Sequence, residues 1–135
     1  QGRGRCDRPN DAEIAAYTAL TLFALHQQSQ NKSMHDAKVS FGRAVGKLVG
    51  NTTSSMKKRF DSLLTAQTEN ARQHYLRSLI TLLRSKSIGF NYGQFAVDYM
   101  YLQNPSTRKN VLYRWNCEFS YGLVPPRSED SKTTE

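Results

Sequence analysis

The stretch Ile14–Leu25, IAAYTALTLFAL, decides the fold. Only Thr18 and Thr21 interrupt its apolar and small residues. At about 100° per residue, Ile14, Leu22 and Leu25 fall on one side of a helix, with Ala16, Leu20 and Phe23 on the other. A helix that is apolar nearly all round belongs in an interior, and this one is well short of the ~20 residues that span a bilayer. It is therefore expected to be a central core helix.

The flanking sequence supplies helices to surround it. Asn10 and Glu13 have capping-box spacing and open the first helix, which runs to about Gln28. Ser29–Lys38 reads as a polar loop. From Ser40, Phe41, Val45, Leu48 and Val49 line one face, and Arg43 and Lys47 share the opposite one. Gly42 and Gly46 align along the side; they either admit a second backbone closely or mark a weak helix. Gly50-Asn51 ends this helix. The next carries Met56, Phe60, Leu63 and Leu64 as its stripe, with Lys57, Lys58 and Arg59 stepping around the remainder. Thr68 caps a fourth helix, roughly Glu69–Lys86, with Tyr75, Leu76, Leu79, Leu82 and Leu83 inward and Arg77 and Arg84 outward. Asn91 and Gln94 repeat the capping-box spacing before Tyr92, Phe95, Tyr99 and Leu102. Pro105 stops that helix, and Ser106 is the expected cap of the last, whose stripe is Val111, Leu112, Trp115 and Phe119. The fold class is all-α, a compact bundle of about six helices. Residues 1–9 read as a flexible basic tail, 10–122 as the helical domain and 123–135 as a disordered polar tail.

The chain has 135 residues and a net charge of +8, a balance that points to a polyanion partner. From Asn10 to Gly122 there are 14 Lys and Arg against 7 Asp and Glu, so the domain itself carries +7. No signal peptide or transmembrane run is read, and a cytoplasmic location is expected. The chain begins at Gln1 and not at Met, so its native start is left open. Cys6 and Cys117 form no metal-like or redox-like pair; a disulfide between them stays open, and two reduced thiols are the plainer reading. His26, His35 and His74 are scattered, no Gly-rich phosphate loop occurs, and no two acids make the DxD or ExD pair of a two-metal nuclease. The expectation is no catalytic residue, no metal and no cofactor.

The basic residues are the positive signal. Arg43 with Lys47, Lys57 with Lys58 and Arg59, Arg77 with Arg84, and Arg108 with Lys109 and Arg114 all flank apolar stripes with few compensating acids. That arrangement suits phosphate contacts, which give affinity without sequence choice. Any one group taken alone reads equally well as a solvated face. Aromatics add stacking where exposed. Most lie on core stripes; Tyr101 and Tyr113 do not, and are the better surface candidates. Two further readings stay open: a stand-alone basic helical nucleic-acid-binding protein, and a protein adaptor.

Four segments in order, YTALTLFALHQQSQ (Tyr17–Gln30), SFGRAVGKL (Ser40–Leu48), SMKKRFDSLLTA (Ser55–Ala66) and HYLRSLITLLRSKSIGFNY (His74–Tyr92), resemble the small subunit of the type I-E CRISPR surveillance complex Cascade, the CasB family. The likeness continues through RWNCEF and covers nearly all of Asp11–Tyr121. It implies an all-α, non-catalytic subunit of antiviral defence. Such subunits sit as a pair along the inner face of the complex, touch its repeated backbone subunits and its large subunit, and help hold guide RNA and the opened target DNA of the R-loop. By position it puts nucleic-acid-facing charges at Arg43, Lys58, Arg59, Arg77, Arg108 and Lys109.

Overall fold

The computed structural model describes residues 10–50 and 54–123; the tails read at 1–9 and beyond Leu123 lie outside them. Six helices follow in order: α1 (Asp11–Gln27), α2 (Phe41–Gly50), α3 (Ser54–Thr65), α4 (Glu69–Ser85), α5 (Tyr92–Leu102) and α6 (Pro105–Leu123). Among the described residues there is no strand, only an isolated parallel bridge between His35 and Phe90. The all-α class read from the sequence holds.

The helix ends follow their capping chemistry. Asn10 and Glu13 close a full capping box, each side chain accepting from the other's backbone N–H at 2.8 and 2.9 Å. Thr68 accepts from Ala71 N–H and Asn91 from Gln94 N–H. The Asn91 box is only half formed, because Gln94 turns its amide to Asp98. At α6 the cap is Asn104 and not Ser106: the Asn104 carboxamide oxygen accepts from Ser106 N–H at 2.9 Å. Pro105 thus stands at the first helical position, where a missing N–H has no consequence.

Helix α1 is not enclosed. Tyr17 and Leu20 are 71% and 69% exposed, while Ala15, Thr18, Ala19, Leu22 and His26 face inward. A helix apolar all round has no preferred face by hydropathy. Here the polar residues choose it, because they find partners inside. Thr18 Oγ1 accepts from Gln73 of α4 at 2.9 Å. His26 is fully buried, with Nε2 2.7 Å from the Ile88 carbonyl and Nδ1 2.7 Å from the Tyr92 hydroxyl. A carbonyl only accepts, so Nε2 carries the proton and Nδ1 accepts from Tyr92.

Burial lowers the His26 pKa below 6.5. The unfolded chain therefore binds the proton first as pH falls. The stability this neutral imidazole contributes is complete above pH 6.5 and declines below it. Thermal melts from pH 7.5 to 5 should show a falling midpoint that is flattened in His26→Leu. Equal pH slopes in both proteins would exclude His26 as the cause.

The core is an aromatic chain. Phe41 lies 4.7 Å from Trp115 and 5.1 Å from Phe90, Phe95 stacks on Trp115 at 5.9 Å, and Phe60 stacks on Phe119 at 4.7 Å between centroids. The loop read as merely polar contributes too. Met34 is fully buried, and its carbonyl accepts from Phe90 N–H at 3.0 Å.

The most extensive helix pairing joins α2 to α6. Gly42 faces Trp115 and Glu118, Gly46 faces Phe119 and Gly122, and Gly50 faces Leu123, so the two helices run parallel. A Cβ at Gly46 would fall 2.8 Å from Gly122 Cα, and one at Gly42 2.9 Å from Glu118 Cβ. The two glycines are thus there for close backbone approach, the first of the two readings open in sequence.

Candidate nucleic-acid interface

The α2–α6 seam brings distant basic residues together. The Arg43 carbonyl packs against Gly122 in the last turn of α6. One turn earlier Phe119 stacks on Phe60 of α3, and the Lys57 ammonium stands 5.9 Å from the Phe119 ring centroid. Arg43 and Lys47 from α2 and Lys57, Lys58 and Arg59 from α3 therefore gather about the C-terminal end of α6. All five are exposed. Apolar burial sets their direction: Phe41, Val45 and Leu48 turn Arg43 and Lys47 outward, and Phe60 and Leu63 do the same for the α3 cations.

The side chains of Arg43, Lys58 and Arg59 have no ion-pair or hydrogen-bond partner among the described residues. Lys57 pairs with Asp61 at 3.0 Å across one turn, with both partners about half exposed. Such a pair is weak and leaves the lysine available to another anion. Asp61 is the one acid on α3, and α2 has none. The group therefore keeps a net positive charge.

The remaining candidates lie elsewhere and divide by what they hold. Arg77 is exposed on α4, with no side-chain partner among the described residues. Two turns on, Arg84 donates to the Leu25 carbonyl at 3.2 Å and to Gln28 Oε1 at 2.8 Å, tying α4 to the end of α1. Arg108 donates to the Leu102 and Gln103 carbonyls at 2.7 and 3.4 Å, closing the C-terminus of α5. Its neighbour Lys109 is exposed, with no side-chain partner among the described residues. Arg114 pairs with buried Asp98 and reaches Glu118 at 3.2 Å; the Asp98 hydrogen bond, with both carboxylates, raises its pKa. So Arg84, Arg108 and Arg114 spend their guanidiniums on the fold, a division that spacing alone does not reveal.

The aromatics divide as their wheel positions predict. Tyr92, Phe95, Tyr99, Trp115 and Phe119 are buried and Tyr75 is partly so, while Tyr101 and Tyr113 are exposed. Tyr17 and Tyr121 are exposed as well. Tyr121 follows Phe119 by two residues, and extending the α6 wheel would have found it off the stripe. Cys117 is a free thiol, and Cys6 lies outside the described residues. Among the described residues no group of three His, Cys, Asp or Glu could hold a metal, and no helix is long and apolar enough to cross a membrane.

Comparison with known proteins agrees with this architecture. Residues 3–119 match the family model described as CRISPR-associated protein Cse2. The crystal structure of CasB from Thermobifida fusca is similar, with 32% identity and a TM-score of 0.74 over 88% of this chain and 73% of that one. No curated protein matches significantly. The matched span takes in every helix but the last turn of α6, and with it the basic residues around the seam. The chain belongs to the Cse2 (CasB) family of CRISPR-associated proteins, a family of Cascade subunits.

Proposed function

We propose that this chain is the non-catalytic small subunit of a type I-E Cascade complex, working in the cytoplasm in antiviral defence. It grips nucleic-acid backbone without sequence preference and so stabilises guide RNA and the opened target DNA. The observation that carries this is the net positive group at the end of α6, where Arg43, Lys58 and Arg59 have no acid to answer them. Phosphate contacts of this kind position a strand without reading bases. The exchange of DNA duplex for guide hybrid is nearly balanced, so a few protein–backbone contacts tip it.

The test is single-strand affinity of the Arg43→Ala, Lys58→Ala, Arg59→Ala triple variant against salt. Each neutralised phosphate contributes about −0.7 to the slope of log K against log salt, so the triple variant should flatten it by about 2. Unrelated sequences should bind alike. An unchanged slope, or a strong preference for one sequence, would refute the reading. Arg59→Ala should weaken binding more than Lys58→Ala. The planar Arg59 guanidinium can meet a phosphate bidentately, while Lys58 offers a point charge.

The subunit's protein contacts fall to a different surface. Leu20 on α1 rims an apolar groove of about 480 Å³ against α5, lined also by Ala16, Ala19, Phe23 and Ala96. A subunit that pairs with a second copy and meets the backbone and large subunits has such surfaces to cover. Leu20→Ser should leave folding and strand binding intact but reduce recovery in the assembled complex. Full recovery would remove this groove from the assembly.

A further inference from the structure

The outward face of α6 carries a pattern that phosphate binding leaves unused. Its exposed residues include Lys109, Asn110, Tyr113, Asn116, Ser120 and Tyr121, with no acid among them. The one acid of this helix, Glu118, is turned to the α2 side, where it meets Gly42 and Arg114. Tyr113 and Tyr121 are 73% and 71% exposed. Eight residues separate them, about 12 Å along the axis.

Resting on the nucleic-acid reading above, we propose that this face is a base-stacking track for an unpaired strand. Tyr113 and Tyr121 are its platforms, and the cations at either end hold its phosphates. Continuity with the basic group supports this: Gly122, next to Tyr121, abuts Arg43. Lys109 stands exposed one turn before Tyr113, with no ion-pair partner among the described residues. Beside Asn110 a cleft of about 250 Å³ opens between α5 and α6, lined by Tyr101, Thr107, Asn110, Val111 and Arg114, and offers a third ring. The spacing selects the strand type. Duplex bases are covered on both faces by their neighbours, so two exposed rings about 12 Å apart can stack only on unpaired bases of a single strand. A protein partner suits this face less well. Between the rings lie half-buried Cys117, which meets the Tyr113 hydroxyl, and exposed Asn116 and Ser120, not an apolar patch like that on α1. Base–aromatic stacking, by contrast, works one ring at a time and tolerates any sequence.

The test uses the full chain with a labelled single-stranded 20-mer, an abasic strand of equal length and the matched duplex. Wild type should bind the base-bearing strand about tenfold or more tighter than the abasic one. The Tyr113→Ala, Tyr121→Ala variant should lose that discrimination while its affinity for the abasic strand and its salt slope stay unchanged. The corresponding double Phe variant should behave as wild type, and circular dichroism controls for folding. Equal binding of base-bearing and abasic strands by wild type would overturn the track while leaving the phosphate reading intact, and it needs no variant. Loss of complex incorporation in the Ala variant, with strand discrimination retained, would make the face a protein interface and also overturn it. Binding flat in salt would overturn the nucleic-acid reading itself, and the track with it.

Discussion

Gly46→Ala should destabilise the protein by about 3 kcal/mol, at the upper end of the usual cost of overpacking. Helix propensity argues the other way, since alanine is favoured over glycine in a helix interior by about 1 kcal/mol. The seam decides the sign. A Cβ at Gly46 meets the Phe119 carbonyl oxygen within contact distance, with Gly122 Cα at 2.8 Å and its carbonyl carbon at 3.0 Å. All three are backbone atoms, and no side-chain rotation relieves them. Accommodation requires α2 and α6 to part, which loosens Phe41 from Trp115 and shifts Arg43 from the end of α6. Gly50 supplies the control. A Cβ there has its nearest neighbours at 3.7 and 4.0 Å, ordinary van der Waals contact. Gly50→Ala should therefore be neutral or mildly stabilising. Urea denaturation followed by circular dichroism compares them, and a Gly46→Ala protein as stable as wild type would refute the account of the seam.

Those glycines mark the boundary of what the sequence makes legible. Their alignment on one side of a helix is visible in FGRAVGKLVG, but nothing there names their partner, the end of α6, some 70 residues away. Stripes with a clear polar opposite, such as Phe60 and Leu63 on α3 or Leu76, Leu79 and Leu83 on α4, are legible because hydropathy alone orients them. Helix α1 defeats that logic. Its orientation is set by Thr18 reaching Gln73 and His26 reaching Tyr92, and both partners lie more than 50 residues on. Met34 was hidden for a similar reason: one apolar residue in a polar loop has no period, and its burial depends on backbone pairing with Phe90. The candidate interface was legible as charge but not as availability. Arg84, Arg108 and Arg114 look like Arg43, Arg59 and Arg77 on a helical wheel. Only tertiary acceptors separate the two sets.

Arg114 leads to the second large effect, at Asp98. This carboxylate is buried on α5 and answers three donors: Arg114, Trp115 Nε1 at 2.9 Å and Gln94 Nε2 at 2.9 Å. It joins α5 to α6 beneath the aromatic chain, because Trp115 also packs on Phe41 and Phe95. Asp98→Ala leaves the buried indole N–H without an acceptor, at about 1–3 kcal/mol, and removes the inner anion from Arg114. Breaking a fully buried ion pair costs about 3–5 kcal/mol, but the Arg114 side chain is 41% exposed and can turn to water and Glu118. The expected loss is therefore about 3 kcal/mol. Asp98→Asn should lose less, because its amide oxygen still accepts from Trp115. The ordering Ala, then Asn, then wild type in urea midpoint tests the three-donor account. A variant as stable as wild type in either case would show the carboxylate to be idle. The same argument fixes the role of Arg114. Arg114→Ala should lower stability, yet at a temperature where it stays folded its single-strand salt slope should match wild type. A slope flattened by about 0.7, as for one lost phosphate, would return Arg114 to the strand-holding residues.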